Sequence, residues 1–238
     1  MIEQEFDLQE QEQSGNPHER HRARMRDRYR EQGVDRFSDY ELLEMLLGYV
    51  LLQKDTNGLA HELINTFGSL QGVADASEER LVEVNQVGPN VAFLLRMLPG
   101  LARRYWTEEI DQSLRLVTHD QYMELMVRQF VGRQEETFVA AFLDEEHRLI
   151  KCEVQFFGSI DSVEVHSDRI LRNADEYEAR YIIVAHNHFC DAIPSDQDVV
   201  ATRHLRYELG ERGFKLLDHI IVCNGEGLSM RRCGYLQF

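Results

Sequence analysis

The sequence predicts an α+β protein, with an all-helical N-terminal half and a C-terminal half in which strands alternate with helices. Three observations predict it. Up to about residue 112, apolar residues recur at helical spacing with Gly or Asn at the breaks. After residue 130 the period changes to short runs rich in β-branched and aromatic residues. Those runs then alternate with helical patterns, as in α/β and α+β folds.

Composition bounds the function. With 238 residues, 43% of them hydrophobic, the chain can bury a sizeable core as one large domain or two smaller ones. No apolar run reaches the roughly 18 residues of a membrane span, and the opening MIEQEFDLQEQEQ is acidic, with no basic-then-apolar leader. A cytoplasmic protein with no membrane partner is therefore expected. Its four cysteines (Cys152, Cys190, Cys223 and Cys233) show no CxxC pairing, so reduced thiols are expected. A formal charge of −16 opposes bulk attraction to nucleic acid, and any DNA contact must be local and weak.

The elements follow in order. Residues 1–17 are polar, end in SGNP and read as a disordered tail. A helical domain is expected over 18–112. It opens on HERHRARMRDRYR, where Arg20, Arg22, Arg24, Arg26, Arg28 and Arg30 fall at every second position. That spacing spreads charge around a helix, which reads first as a solvated helix and only second as a phosphate contact. In SDYELLEMLLGYVLL, Ser38 with Glu41 three residues on is a capping box before a buried helix. The segment LVEVNQVGPNVAFLL resembles a helix-hairpin-helix, whose Gly-hydrophobic-Gly turn offers amides to phosphate. Gln86 replaces the first Gly and Pro89 has no amide, so the unit is degenerate. Val84, Val87, Ala92 and Leu95 are expected to pack. Tyr105 and Trp106 mark the end of this domain, with the boundary near residues 110–120.

A second domain is expected over 116–238. Met123 and Met126 suit a helix core, and ETFVAAFLD with RLIKCEVQFFG reads as a hairpin. A capped helix near SDRILRNADEYEA, the strand YIIVAH, a helix from Ser195 to about Gly210, the strand FKLLDHIIVC and a short strand around GLSMRR complete it. His166 and His219 sit in apolar or strand contexts and are expected to be structural, with His219 at most a residue behind a ligand.

The stretch VAHNHFCDAIPSDQD carries the chemistry. Side chains alternate along a strand, so His186 and His188 point the same way where the chain leaves the sheet. Two imidazoles could hold two corners of a tetrahedral zinc, with Asp198, Asp191 or Cys190 as the third ligand. The same residues have a plain structural use. Ser195 and Asp198 form S-x-x-D, a helix start that needs no metal. On the pattern alone both readings stand.

HNHFCDAIPSDQD, CEVQFFGSIDSVEVHSDRI, LLDHIIV and the helical segments from HRARMRDRYREQGVDRF onward resemble the RadC family of MPN/JAMM-domain proteins, over residues 18 to about 235. The resemblance implies an α/β domain of cytidine deaminase-like type with a mixed sheet. It also implies His186, His188 and Asp198 as zinc ligands, Glu153 as general base and Ser195 as the residue that steadies an oxyanion. Zinc-dependent hydrolysis of a peptide or isopeptide bond in a protein substrate would follow, and the family name adds a link to DNA repair. The other expectation is a non-catalytic MPN-type module that engages DNA or DNA-processing partners. One departure stands out: the six residues FCDAIP separate His188 from Ser195, one fewer than in the family pattern, and the turn glycine is missing. Such a contraction could move Asp198 by up to ~3.5 Å and leave Cys190 to compete as a ligand.

Overall fold

Helix α1 (Pro17–Gln32) begins on a proline, which fits the first helical position because no amide is needed there. The computed structural model to which it belongs describes residues 17–52, 54–108, 114–158 and 163–236. The tail expected over 1–17 lies outside them save Pro17. The arginines of α1 turn to separate partners. Arg28 pairs with Glu41 at 2.7 Å, Arg30 with Asp27 at 2.7 Å, and Arg22 donates to the Leu52 carbonyl at 2.6 Å.

Ser38 caps α2 (Asp39–Leu47) through the reciprocal box with Glu41 that the spacing predicts. Leu43 and Leu47 of α2 then pack with Leu59 and Leu63 of α3 (Asn57–Phe67), Val73 of α4 (Leu70–Asp75) and Leu81 of α5 (Glu78–Val82). Val91, Ala92 and Leu95 of α6 (Pro89–Glu108) close this core. Between α5 and α6, Gln86 takes φ 70, the left-handed region where glycine is the usual occupant. A non-glycine residue in that region carries a backbone cost of about 1–2 kcal/mol. Val84 and Val87 are buried beside it and join the helical core, as expected of them. The described residues up to Pro99 form one compact unit and those from Gly100 on form another, so the division falls within α6.

In the second unit, Thr118 caps α7 (His119–Arg128) with a capping box to Gln121. Strands β1 (Thr137–Leu143) and β2 (Leu149–Phe157) form the expected antiparallel hairpin. β1 is buried along its whole length because both faces are covered. Val139, Ala141 and Leu143 pack with Leu125 and Met126 of α7, whereas Phe138, Ala140 and Phe142 pack with helices α8 (Val163–Glu176) and α9 (Asp196–Glu211). Between those helices runs β3 (Tyr181–Asn187), and after α9 come β4 (Lys215–Cys223) and β5 (Glu226–Ser229). The sheet order is β2-β1-β3-β4-β5, with β3 and β4 parallel and every other pair antiparallel. The protein is thus α+β with a mixed sheet.

Some details shift from expectation. Helix α8 starts at Val163, so Ser167 lies inside it and is buried, where SDRILRNADEYEA suggested a start. The His166 side chain lies outside the described residues. All four cysteines are unpaired. No described helix is long and apolar enough to cross a membrane.

Candidate metal centre

β3 is the strand where pairing changes sense, antiparallel to β1 on one side and parallel to β4 on the other. Ligands of open α/β sheets bind at such switch points, beyond the carboxyl ends of the strands. His186 and His188 lie at that end. His186 is buried on the α9 side, its ring stacked 6.1 Å from Phe138. His188 has left the strand, yet its N–H still donates to the Val222 carbonyl at 2.8 Å, which fixes its direction. Asp198 faces both histidines from the first turn of α9.

The three side chains converge. His186 Nε2 lies 2.9 Å from His188 Nε2 and 3.1 Å from Asp198 Oδ1, and His188 Nε2 lies 3.4 Å from Asp198 Oδ2. Ligand atoms about 2.0–2.1 Å from a tetrahedral zinc would stand about 3.3 Å apart, so the set fits a metal of that size with little movement. His188 turns its other nitrogen, Nδ1, to the Asp191 carbonyl at 3.1 Å, leaving Nε2 for the cluster. Among the described residues, only His186, His188 and Asp198 group as candidate metal ligands. Cys190 and Asp191 do not join them.

The shortened loop therefore does not carry Asp198 away. Its position is set from the helix side. Ser195 caps α9, its N–H and hydroxyl both donating to Asp198 Oδ2 at 2.7 Å, while the Asp198 N–H donates back to Ser195 Oγ at 3.1 Å. The helix-start reading of S-x-x-D is realised as a capping box, and the same carboxylate faces His186 through Oδ1 and His188 through Oδ2. Burial would raise the Asp198 carboxyl, but the contacts with His186 and Ser195 outweigh it and hold the group well below the usual carboxylate range.

Behind His186 stand two residues of other elements. His186 Nδ1 lies 2.8 Å from His219 Nε2, and His219 Nδ1 lies 2.5 Å from Thr202 Oγ1. Thr202 Oγ1 in turn donates to the Asp198 carbonyl at 2.5 Å. Complete burial pushes the His219 imidazole well below its ordinary value. Sequence reading left His219 as structural and passed over Thr202. The only sequence signal was Thr202's place one turn after Asp198.

The carboxylates need separating. Glu153 accepts from Asn173 Nδ2 at 2.7 Å and from the Tyr177 hydroxyl at 3.1 Å, both on the α8 side of the sheet. Its partner on β1 is Ala140, which pairs with Val184, two residues short of His186. Glu136 is placed differently. Phe138 pairs with His186, and Glu136 lies two residues before it, just ahead of β1, its carbonyl accepting from the Gly158 N–H at 2.7 Å. The Asn187 side chain fixes the flanking backbone, accepting from the Thr137 N–H at 2.8 Å and donating to the Glu135 carbonyl at 3.3 Å.

A mixed sheet with a His-x-His pair at the end of its switch strand and an aspartate in the next helix defines a RadC-like JAB domain. The RadC-like JAB domain family matches residues 116–235, and the UPF0758 N-terminal family matches residues 18–93. A UPF0758 protein of Fusobacterium nucleatum is 31% identical over 224 residues, covering 91% of this chain and 97% of the relative. A UPF0758 protein of Ruegeria pomeroyi is 34% identical over 217 residues, with coverage of 91% and 97%. The chain belongs to the UPF0758 family of RadC-like JAB-domain proteins.

Proposed function

We propose that this protein is a zinc-dependent hydrolase of peptide or isopeptide bonds. The observation that supports it most is the convergence of His186 Nε2, His188 Nε2 and Asp198 on one point at the mouth of the sheet. Three protein ligands leave a fourth position for water, which separates a catalytic zinc from a structural one. Bound there, zinc would lower the pKa of its water to about 7 and polarise a carbonyl. The chain's own residues supply the rest. A carboxylate must take the water's proton and pass it to the leaving amine. Glu153 is the carboxylate the resemblance implies, and Glu136, two residues before the Phe138 that pairs with His186, is a second candidate. Ser195 holds Asp198 in place, and the oxyanion role implied for it needs its hydroxyl to turn away from Oδ2.

One observation favours a second reading. The hydrogen bonds from Asn173 and Tyr177 engage Glu153 Oε1, as in a module that keeps the fold without the reaction and binds DNA or DNA-processing partners. Metal content separates the readings at their base. Protein purified without chelator should carry close to one zinc per chain by elemental analysis, and His186→Ala or His188→Ala should carry almost none. Wild-type protein free of zinc would defeat the hydrolase reading.

A further inference from the structure

From the second ring nitrogen of His186 a chain of hydrogen bonds runs through His219 and Thr202 to the backbone of Asp198. Its polarity follows from one end. A carbonyl oxygen only accepts, and two oxygens 2.5 Å apart need a hydrogen between them, so the single hydrogen of the Thr202 hydroxyl points at the Asp198 carbonyl rather than at Met230 Sδ at 3.7 Å. Toward His219 Nδ1, Thr202 Oγ1 can then only accept, and Nδ1 must carry the hydrogen. His219 is 1% exposed, and an imidazole whose one ring hydrogen sits on Nδ1 has a bare Nε2. A bare Nε2 at 2.8 Å requires His186 Nδ1 to be the donor. His186 Nε2 then presents its lone pair to the point where His188 and Asp198 meet.

We infer that Thr202 and His219 are positioning residues of the metal centre, which hold His186 in the one tautomer that can bind a metal through Nε2. The inference rests on the zinc reading of the site. It goes further by tying two candidate ligands from different elements into one circuit: His186 on β3 and Asp198 on α9 are joined through a hydroxyl one turn after Asp198 and an imidazole on β4. A threonine bonded to the carbonyl four residues back is ordinary in helices. What is not ordinary is that the same oxygen also accepts from a buried histidine, which sets the direction of every bond in the chain. Partners behind metal-bound histidines act in this way, and their loss costs about 10–100-fold in metal affinity.

The two methyl-sized changes at Thr202 isolate the hydroxyl. Thr202→Val keeps the shape and loses the oxygen, whereas Thr202→Ser keeps the oxygen and loses the methyl. With the full chain and cobalt(II) as probe, followed by its visible absorption, Thr202→Val should bind about 10–100-fold more weakly than wild type, with Thr202→Ser close to wild type. Nitrogen-15 NMR of the metal-free protein gives an independent reading. His186 should be a single Nδ1–H tautomer in wild type and Thr202→Ser, and a mixture in Thr202→Val. Equal cobalt affinity in wild type and Thr202→Val, or Thr202→Ser as weak as Thr202→Val, overturns the inference. So does an Nε2–H tautomer in the wild type, a result that stands even if Thr202→Val fails to fold. If wild type binds no cobalt at all, the zinc reading fails, and the tautomer measurement decides the positioning role by itself.

Discussion

Glu153 and Asp198 have partners that assign them different behaviour, and Glu136 is a third candidate carboxylate. Asp198 faces the histidine nitrogens and completes the capping box with Ser195, so Asp198→Asn should weaken zinc binding and lower stability by about 1 kcal/mol through the weakened box. A proton acceptor stands outside the metal's ligands, so the glutamate that serves as base should, when changed to Gln, leave zinc content intact while activity falls about 10²–10⁴-fold. Glu136→Gln should show that signature. Glu153→Gln should instead act on stability, because Asn173 and Tyr177 lose a charged acceptor. Zinc content and unfolding measured on both variants will separate them, and loss of zinc from Glu136→Gln would make that residue a ligand. The histidines and Asp198 were legible because their spacing within one segment of chain already implies a shared direction. His219 was not, since it reaches His186 across a strand pairing from 33 residues further along the chain.

Capping boxes were the most readable elements, because the cap and its reciprocal partner lie three residues apart and need nothing from the rest of the fold. Ser38 with Glu41 shows the energetics. The side-chain bond from Arg28, followed by the Ser38 N–H, holds the Glu41 carboxyl down at about 2. An unfolded glutamate titrates near 4.3, so the folded state favours the charged form. The sign follows: the contribution is complete above about pH 4.3 and is lost as pH falls toward about 2. Glu41→Gln should therefore be less stable than wild type near neutral pH, with the gap closing between about pH 4 and pH 2 in urea unfolding. Raised salt should narrow the gap at neutral pH, because the pair is partly exposed. A gap that stays constant with pH would mean that the carboxylate's charge contributes nothing. Turn geometry was less legible than the caps. Gln86 looks like a lost glycine in the sequence, yet the backbone still adopts φ 70 there, held by Val84 and Val87 buried on either side.

At the scale of the whole molecule, the change of period from helical to strand-like placed the helical and sheet-bearing regions correctly, because burial on one face or two is written directly into residue order. Sheet order and the crossover between β3 and β4 were not readable, as they depend on which strands meet after collapse. Net charge is likewise a property of the whole chain, and it bears on DNA. With −16 overall, attraction to a duplex must come from the arginines of α1. Several of these are already engaged: Arg28 with Glu41, Arg30 with Asp27, Arg22 with the Leu52 carbonyl, and Arg20 within the chain as well. Arg24 and Arg26 make neither a hydrogen bond nor an ion pair with a described residue. The hairpin adds little, since Pro89 has no amide to offer. Each phosphate neutralised contributes a slope of about −0.9 to the plot of log affinity against log salt, so two free arginines predict about −2. Duplex binding should be weak, with a Kd on the order of 10⁻⁴ M near physiological salt, and should fall further in Arg24→Ala with Arg26→Ala. Titration of a labelled duplex at several salt concentrations measures both quantities. A slope of about −5, or sub-micromolar binding, would require phosphate contacts well beyond α1 and would favour the DNA-engaging module over the hydrolase.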